Sequence, residues 1–341
     1  MRGRGETKRS NRALLWRGLG RRVFFFLLAL FLLSLLLFAL LRVLPGDQAL
    51  LAAGMNSSKE QVARLRQDWG LDRPYPVQYL TWLVGIFRGD LGTSVLTGES
   101  VAAQVGQRSQ VTFPLILLSL LIAGLIGVPL GLAGAGARKP LAQEVYRMAA
   151  IVAASIPALW SGLLLILLFG RGVGLVGLFP VSGFPDQGWA SPGRALASLI
   201  LPAVSVGILT AASIMRYTRS ALLDLAQSDA IAMSMAAGMT RRQALARTGL
   251  RLALPQLVSV FGLTFAGMVT GVLVVEQLFA LPGLSGMLMR DIQNRDLLAA
   301  QTEILLLALL FFLVGFLVDV THSLVDPRLK LGAGDHQEAA R

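Results

Sequence analysis

The sequence predicts an all-α polytopic membrane protein with six transmembrane helices and cytoplasmic N- and C-termini. Three observations predict it. Hydrophobic residues make up 55% of the 341-residue chain and charged residues only 15%, well below the charge content of a soluble domain. The apolar residues gather in blocks, and about 20 helical residues are enough to cross ~30 Å of hydrocarbon. The 31 Lys and Arg residues divide unevenly between the segments joining the blocks, 20 on the segments assigned to the inside and 11 on those outside. That asymmetry is the positive-inside pattern, and the long first outside loop, which weighs little, carries most of the outside share.

Residues 1–22 form a basic cytoplasmic tail. The first block, VFFFLLALFLLSLLLFALL (Val23 to Leu41), is too long for a signal-peptide core, and no small-x-small cleavage site follows. It reads as an uncleaved first span. Residues 42–110 form an external loop with short helices. Ser57-x-x-Glu60 resembles a capping box, in which a hydroxyl and a carboxylate satisfy the orphan N–H groups of a helix start. Val62, Leu65 and Trp69 then share one helical face, and Gly70 ends the helix. Pro74 and Pro76 break the chain, after which Leu80, Leu83, Val84 and Phe87 give a second amphipathic stretch. The loop reads both as a lid packed on the bundle and as a docking surface for an external partner. Asp47 and Asp90 stand beside glycines, where turn chemistry explains them.

Residues 111–325 form the core, with blocks at about 111–134, 148–169, 199–215, 256–275 and 304–318. Pro129 and Pro157 lie inside blocks and should kink them. Small and polar residues recur in the blocks, among them Ser119, Gly127, Gly131, Ser161, Ser205 and Gly207. They suit close helix packing or a path lined by small polar groups. Residues 326–341 form a cytoplasmic tail that reads as disordered after Lys330.

Several classes are excluded. The blocks so drawn hold no Asp, Glu, Lys, Arg or His, which argues against a proton relay, a voltage sensor or a charged selectivity ring. Sodium coupling through backbone carbonyls stays open. There is no cysteine, and both histidines, His322 and His336, lie near the C-terminus, so neither a metal cluster nor a catalytic dyad is expected. No glycine-rich phosphate loop occurs. No cofactor is expected in this chain, and energy for uphill transport must come from another one. The formal charge of +12 is explained by basic flanks of apolar blocks, not by nucleic-acid binding.

One stretch between blocks, within residues 216–255, is too arginine-rich to cross a bilayer: SDAIAMSMAAGMTRRQALARTGLRLALP, Ser228 to Pro255. Ser228 or Asp229 can cap a helix start. The Ala/Met run to Ala237 favours helix, Gly238 can take the left-handed conformation that ends one, Thr240 can cap the next, and Pro255 opens the fifth span. Met233, Met235 and Met239 are flexible apolar side chains suited to a partner's groove.

This hairpin and the motifs around it resemble the membrane permease of a binding-protein-dependent ABC importer of the dipeptide/oligopeptide type. The supporting motifs run in order: RVLPGD (42–47), GLDRPYPVQYLTWL (70–83), GDLGTS (89–94), SIPALWSGLLLILLF (155–169), FPVSG (179–183), VVEQLFALPGLSGML (274–288), NRD (294–296) and DPR (326–328). The resemblance implies that the hairpin is the coupling helix that docks in a cleft of the ATPase. Gly238 matches the family glycine, and Ala232, Met233 and Ser234 stand where the family has Glu-Ala-Ala. The chain has no Glu there, and Pro255 lies beyond the general family position. Ala237, Met239, Arg241 and Arg242 complete the coupling loop; the two arginines meet either an acidic rim of the ATPase or lipid headgroups. Glu276, Pro282 and Gly283 would form an external mouth or gate, although Glu276 also reads as an interfacial charge at a helix end.

The resemblance further implies a bacterial or archaeal cell membrane, no enzymatic activity, and ATP hydrolysed by partner subunits. The expected partners are ATPase subunits, a second homologous permease, an extracytoplasmic solute-binding protein and the lipid bilayer, with no nucleic acid. Di- or oligopeptides are the expected substrate. Nickel chelates, glutathione or sugars on the same architecture remain open, as does a secondary transporter.

Overall fold

The computed structural model describes residues 3–43, 48–53, 57–95 and 97–325. The expectations for Asp47, the DPR motif and the C-terminal tail lie outside them. Among the described residues the chain is helical throughout, with two isolated bridge contacts and no strand. In chain order the helices are α1 (Gly3–Val43), α2 (Gln48–Ala53), α3 (Lys59–Asp68), α4 (Tyr75–Phe87), α5 (Val101–Gly136), α6 (Pro140–Ser155) and α7 (Ala158–Phe169). There follow α8 (Pro192–Leu225), α9 (Asp229–Ala236), α10 (Arg241–Ala244), α11 (Leu250–Gly271), α12 (Leu273–Leu278), α13 (Leu284–Gln293) and α14 (Leu297–Val325). Five of these stretches are long and apolar enough to span a membrane, or six when the bent pair α6 and α7 is taken as one.

The block limits need correction. Pro157 does break its span: α6 and α7 meet at 93° across it. Pro129 lies inside an unbroken α5, and Pro255 lies inside α11 rather than at its start. The block at 256–275 divides at Val272 into α11 and α12. The last apolar stretch is Leu297–Thr321, so it contains Glu303 and Asp319; the spans are not free of ionisable groups. The block begins at Ile304 because Glu303 interrupts the apolar run, but a single buried carboxyl does not interrupt a helix.

The chain forms two compact units. The first comprises residues 1–23, 113–281 and 313–341 and is organised on α8. Ala195, Leu199, Ala203, Ser205, Ile214 and Leu222 of that helix are fully enclosed. Its contact with α5 runs through glycines that admit no side chain. A Cβ on Gly127 would lie 2.7 Å from the carbonyl oxygen of Ala211, and one on Gly207 2.8 Å from Ile122. Ser161 donates across to the Ser205 carbonyl at 3.1 Å, tying α7 to α8. Of the two readings of the small residues, close packing is the one these contacts support.

The second unit comprises residues 24–112 and 282–312. Its α3 begins one residue later than expected. Ser58, not Ser57, is the N-cap; its Oγ accepts from Gln61 N–H at 3.2 Å, while Gln61 Oε1 accepts from Ser58 N–H at 3.0 Å. Ser57 instead donates to the Ala53 carbonyl. Replacing Ser58 with alanine should cost about 1 kcal/mol and speed hydrogen exchange across α3 while leaving the spans unchanged. The face Val62, Leu65 and Trp69 is the part-buried one, and Gly70, at φ 62°, ends the helix as expected. Of the face expected for α4 only Leu83 is part-buried. Leu80, Val84 and Phe87 are outside, Phe87 84% exposed, and Gln78 and Tyr79 are buried. Polar pairing decides this: Tyr79 Oη lies 2.8 Å from the buried Ser34 Oγ, and the ring packs edge-on against Phe38.

Candidate functional site

The hairpin predicted from SDAIAMSMAAGMTRRQALARTGLRLALP is present as α9, a glycine turn, α10 and a π turn at Leu245–Gly249. Ser228 occupies the N-cap with φ −75° and ψ 150°, but its hydroxyl donates back to the Leu225 carbonyl instead of capping. Asp229 stands in the first turn, where a negative charge suits the exposed N–H groups. At the other end Gly238 N–H donates to the Met235 carbonyl at 3.0 Å and Met239 N–H to the Ser234 carbonyl at 3.2 Å. These two bonds form a Schellman motif around a residue at φ 91°. A Cβ on Gly238 would meet nothing within 4 Å. The position therefore requires glycine for its backbone angle, not for space. Thr240 and Gln243 form a reciprocal capping box that starts α10.

The hairpin is anchored at two points. Ile231 from α9 and Leu245 from the π turn enter a cluster with Ala135 of α5, Ala221 and Leu222 of α8, and Ala253 and Leu257 of α11. Gly249 lets this cluster close, because a Cβ there would lie 3.1 Å from Leu222. The second arm runs on into α11 as one apolar stretch from Arg241 to Val269. The π turn is the seam of that join. Displacement of the hairpin therefore bears directly on the ends of three long helices.

The expected contact residues separate into two groups. Ala232, Met233, Ala237, Gly238, Arg241 and Arg242 are exposed, Met233 at 73%. Met235 is also outside, 43% exposed. Met239 differs from expectation: it packs against the cluster. Ser234 is part-buried and pairs its hydroxyl with Thr248 Oγ1 at 2.9 Å, linking the two arms.

Of the expected external-mouth residues, Glu276 sits close to the other two in the chain's path, its carbonyl accepting from Leu281 N–H at 2.8 Å. Glu276 lies in α12 of the first unit and is fully buried within it. Pro282 and Gly283 belong to the second unit, where Gly283 is the N-cap residue of α13.

The second unit holds polar groups that local sequence does not reveal. Asp296 of the NRD segment accepts from Ser94 Oγ and Val95 N–H, both at 2.7 Å, and from Ala299 N–H at 3.2 Å. It caps α14 and ties NRD to the GDLGTS segment. Asp291 and Glu303 face each other nearby, 5% and 3% exposed. Asp291 Oδ2 and both Glu303 oxygens have no hydrogen-bond partner. Burial pushes the Asp291 carboxyl above its ordinary value of 3.8, against the opposing pull of the Glu303 carboxyl beside it and of Arg290 and Arg108. Neither residue carried a signal, because a carboxylate pair brought together across a turn has no local pattern. Among the described residues no cluster of three metal-ligating side chains occurs.

With the helices and the anchored hairpin in place, the chain can be compared with known proteins. Residues 127–331 match the family described as binding-protein-dependent transport system inner membrane component, and residues 15–113 match its N-terminal companion. The chain belongs to this family. A putative peptide transport system permease protein of Brucella abortus is 34% identical over 302 residues, 87% of this chain and 93% of the relative. The dipeptide transport system permease protein of Escherichia coli is 32% identical over 317 residues, covering 87% and 94%. The glutathione transport system permease protein of Pectobacterium atrosepticum is 32% identical over 301 residues, covering 88% and 94%. The chain is thus a permease, the multi-pass membrane component of a binding-protein-dependent importer, and not an enzyme.

Proposed function

We propose that the permease forms half of the translocation path of an ATP-driven importer of di- or oligopeptides in a bacterial or archaeal cell membrane. In this reading six spans place both termini and the hairpin in the cytoplasm. ATPase subunits bind the exposed face of the hairpin and hydrolyse the ATP. An extracytoplasmic binding protein delivers the peptide, and a second homologous permease forms the other half. The observation that carries the reading is the anchored hairpin. Its outer face, with Met233 and Arg241, is open to a partner, while Ile231 and Leu245 lock its inner face to α5, α8 and α11. A rigid element held in this way can pass an ATPase closure to the spans, which is what coupling between two sites requires.

The choice of peptide is supported by what the relatives are named for, dipeptide and glutathione transport among them. Both substrates are short peptide-like chains with free carboxylates.

The test is ATP-driven uptake of a labelled dipeptide and of glutathione into proteoliposomes holding the permease with its ATPases, second permease and binding protein. Gly238→Val forces a β-branched residue to φ 91°, at a cost of about 1–3 kcal/mol. It should cut uptake at least tenfold while the spans keep their thermal stability. Uptake that survives scrambling of Ser228–Pro255, or that stops when ion gradients are collapsed with ATP present, would overturn the reading. Glutathione uptake without dipeptide uptake would keep the coupling and reassign the substrate.

A further inference from the structure

The second unit carries an apolar face that its own packing leaves open. On α4, Val77, Leu80, Val84 and Phe87 recur at intervals of three and four residues, so they form one stripe. They are 43%, 57%, 44% and 84% exposed. Between Val77 and Phe87 the one exposed polar side chain is Thr81, and its hydroxyl donates back to the Val77 carbonyl at 2.8 Å. It needs no partner from outside the helix. No charged residue lies between Arg73 and Arg88. The neighbouring α3 is the contrast, because its exposed side carries Lys59, Glu60, Arg64, Arg66 and Asp68. Two helices of one loop are thus built for different surroundings.

The inward side of α4 fixes the level at which the stripe sits. Tyr79 Oη lies 2.8 Å from Ser34 Oγ, and the Tyr79 ring packs edge-on against Phe31 and Phe38. Ser34 stands eight residues inside the Arg42 end of the first apolar stretch, which is about 12 Å along a helix axis. Trp82 Nε1 donates to Thr302 Oγ1 at 3.3 Å, and Thr302 stands five residues inside the last apolar stretch, which starts at Leu297. The helix therefore packs on two spans below their ends, not on a loop above them. At that level there is no water to satisfy polar groups, so they turn inward and apolar side chains face the lipid. This accounts for Gln78 and Tyr79 on the buried side of α4 and for Leu80, Val84 and Phe87 on the open one. Arg73 and Arg88, both exposed, bracket the helix, where long cationic side chains reach the headgroups.

We propose that α4 is embedded in the lipid boundary, with the stripe from Val77 to Phe87 docked on the acyl chains of the leaflet at the Arg42 end of α1. On this face the loop is then neither a lid nor a surface for an external protein. The proposal rests on the importer reading only for calling that leaflet the outer one.

The test is electron paramagnetic resonance of single nitroxide labels on the permease, in complex with cysteine-free ATPases and second permease, in phosphatidylethanolamine–phosphatidylglycerol nanodiscs without ATP. The chain has no cysteine of its own, so each introduced one is unique within it. Leu80→Cys, Val84→Cys and Phe87→Cys are the reporters; all three positions are exposed, so the packed side of α4 stays intact. Arg64→Cys on α3 is the aqueous control. Labels on the stripe should collide severalfold more with oxygen, which concentrates in hydrocarbon, than with a water-soluble nickel chelate, and the Arg64 label should show the reverse. Nickel access at Leu80 and Phe87 equal to that at Arg64 would overturn the proposal by placing the stripe in water. Immobilised labels shielded from both reagents would also overturn it, by assigning the stripe to the second permease. The assay reads no ATP hydrolysis, so failure here leaves the coupling reading standing, and failure of ATP-driven uptake leaves the lipid contact measurable.

Discussion

Replacing Gly131 with leucine is expected to remove about 3 kcal/mol or more from the stability of the first unit, beyond the usual 1–3 kcal/mol of an overpacked core. A Cβ at that position would stand 2.6 Å from Thr218 Cβ and 2.8 Å from the Met215 carbonyl oxygen. The second of these is backbone of α8, the most enclosed of the spans, so it cannot turn aside as a flexible side chain would. The only relief is separation of α5 from α8, which would also open contacts at Gly127 and Gly207, where a Cβ would clash in the same way. Thermal unfolding in mild detergent measures the loss. Gly267→Leu is the control, because nothing lies within 4 Å of a Cβ there, and substitutions away from packed features usually stay within about 0.5 kcal/mol. Equal melting temperatures for the two variants would mean that glycine packing does not hold α5 to α8.

The same contacts show what could be read in advance. That Gly131 and Gly127 permit close helix approach was legible, because small residues spaced along an apolar block have few other uses in a membrane. Which helix they meet was not, since a partner 80 residues away leaves no local trace. The hairpin was the most legible element. Its signals are local: a capping residue, an Ala/Met run, one glycine, and a Thr with Gln three residues on. The register of α3 was missed by one residue because Ser57 and Ser58 are both capable caps, and the choice fell to the one whose partner is Gln61. The face of α4 was missed for a different reason. Hydrophobicity alone favoured Leu80, Val84 and Phe87, but the hydrogen-bonding needs of Gln78 and Tyr79 decided which side turned inward. The start of the last apolar block at Ile304 follows the same logic in reverse: in the sequence Glu303 marks a boundary, and burial beside Asp291 overrides it.

That buried pair supports a second large effect, in the pH dependence of stability. Asp291 titrates above its ordinary value in the folded protein because burial opposes its charge. A carboxyl whose folded pKa is raised contributes stability that is fully present below its unfolded pKa and is lost as pH rises through the folded one. The groups facing it do not cancel this. Burial is the largest influence and the Asp296 charge adds to it, while the neighbouring Glu303 carboxyl, Arg290 and Arg108 pull the other way without reversing the shift. The unaltered permease should therefore melt at progressively lower temperature as pH is raised above the ordinary aspartate value. Asp291→Asn keeps the shape, removes the titration and offers an N–H to the orphan oxygens of Glu303. It should match the unaltered protein in acid and exceed it in base by about 1–3 kcal/mol, the cost of a buried unsatisfied acceptor. For a unit of this size that corresponds to roughly 3–6 °C for each kcal/mol. Melting curves at a series of pH values decide it, with Asp224→Asn, an exposed carboxylate, as the control. If the Asp291→Asn curve runs parallel to that of the unaltered protein across the range, the pair does not carry the pH dependence, and the orphan oxygens find donors that the folded chain alone does not supply.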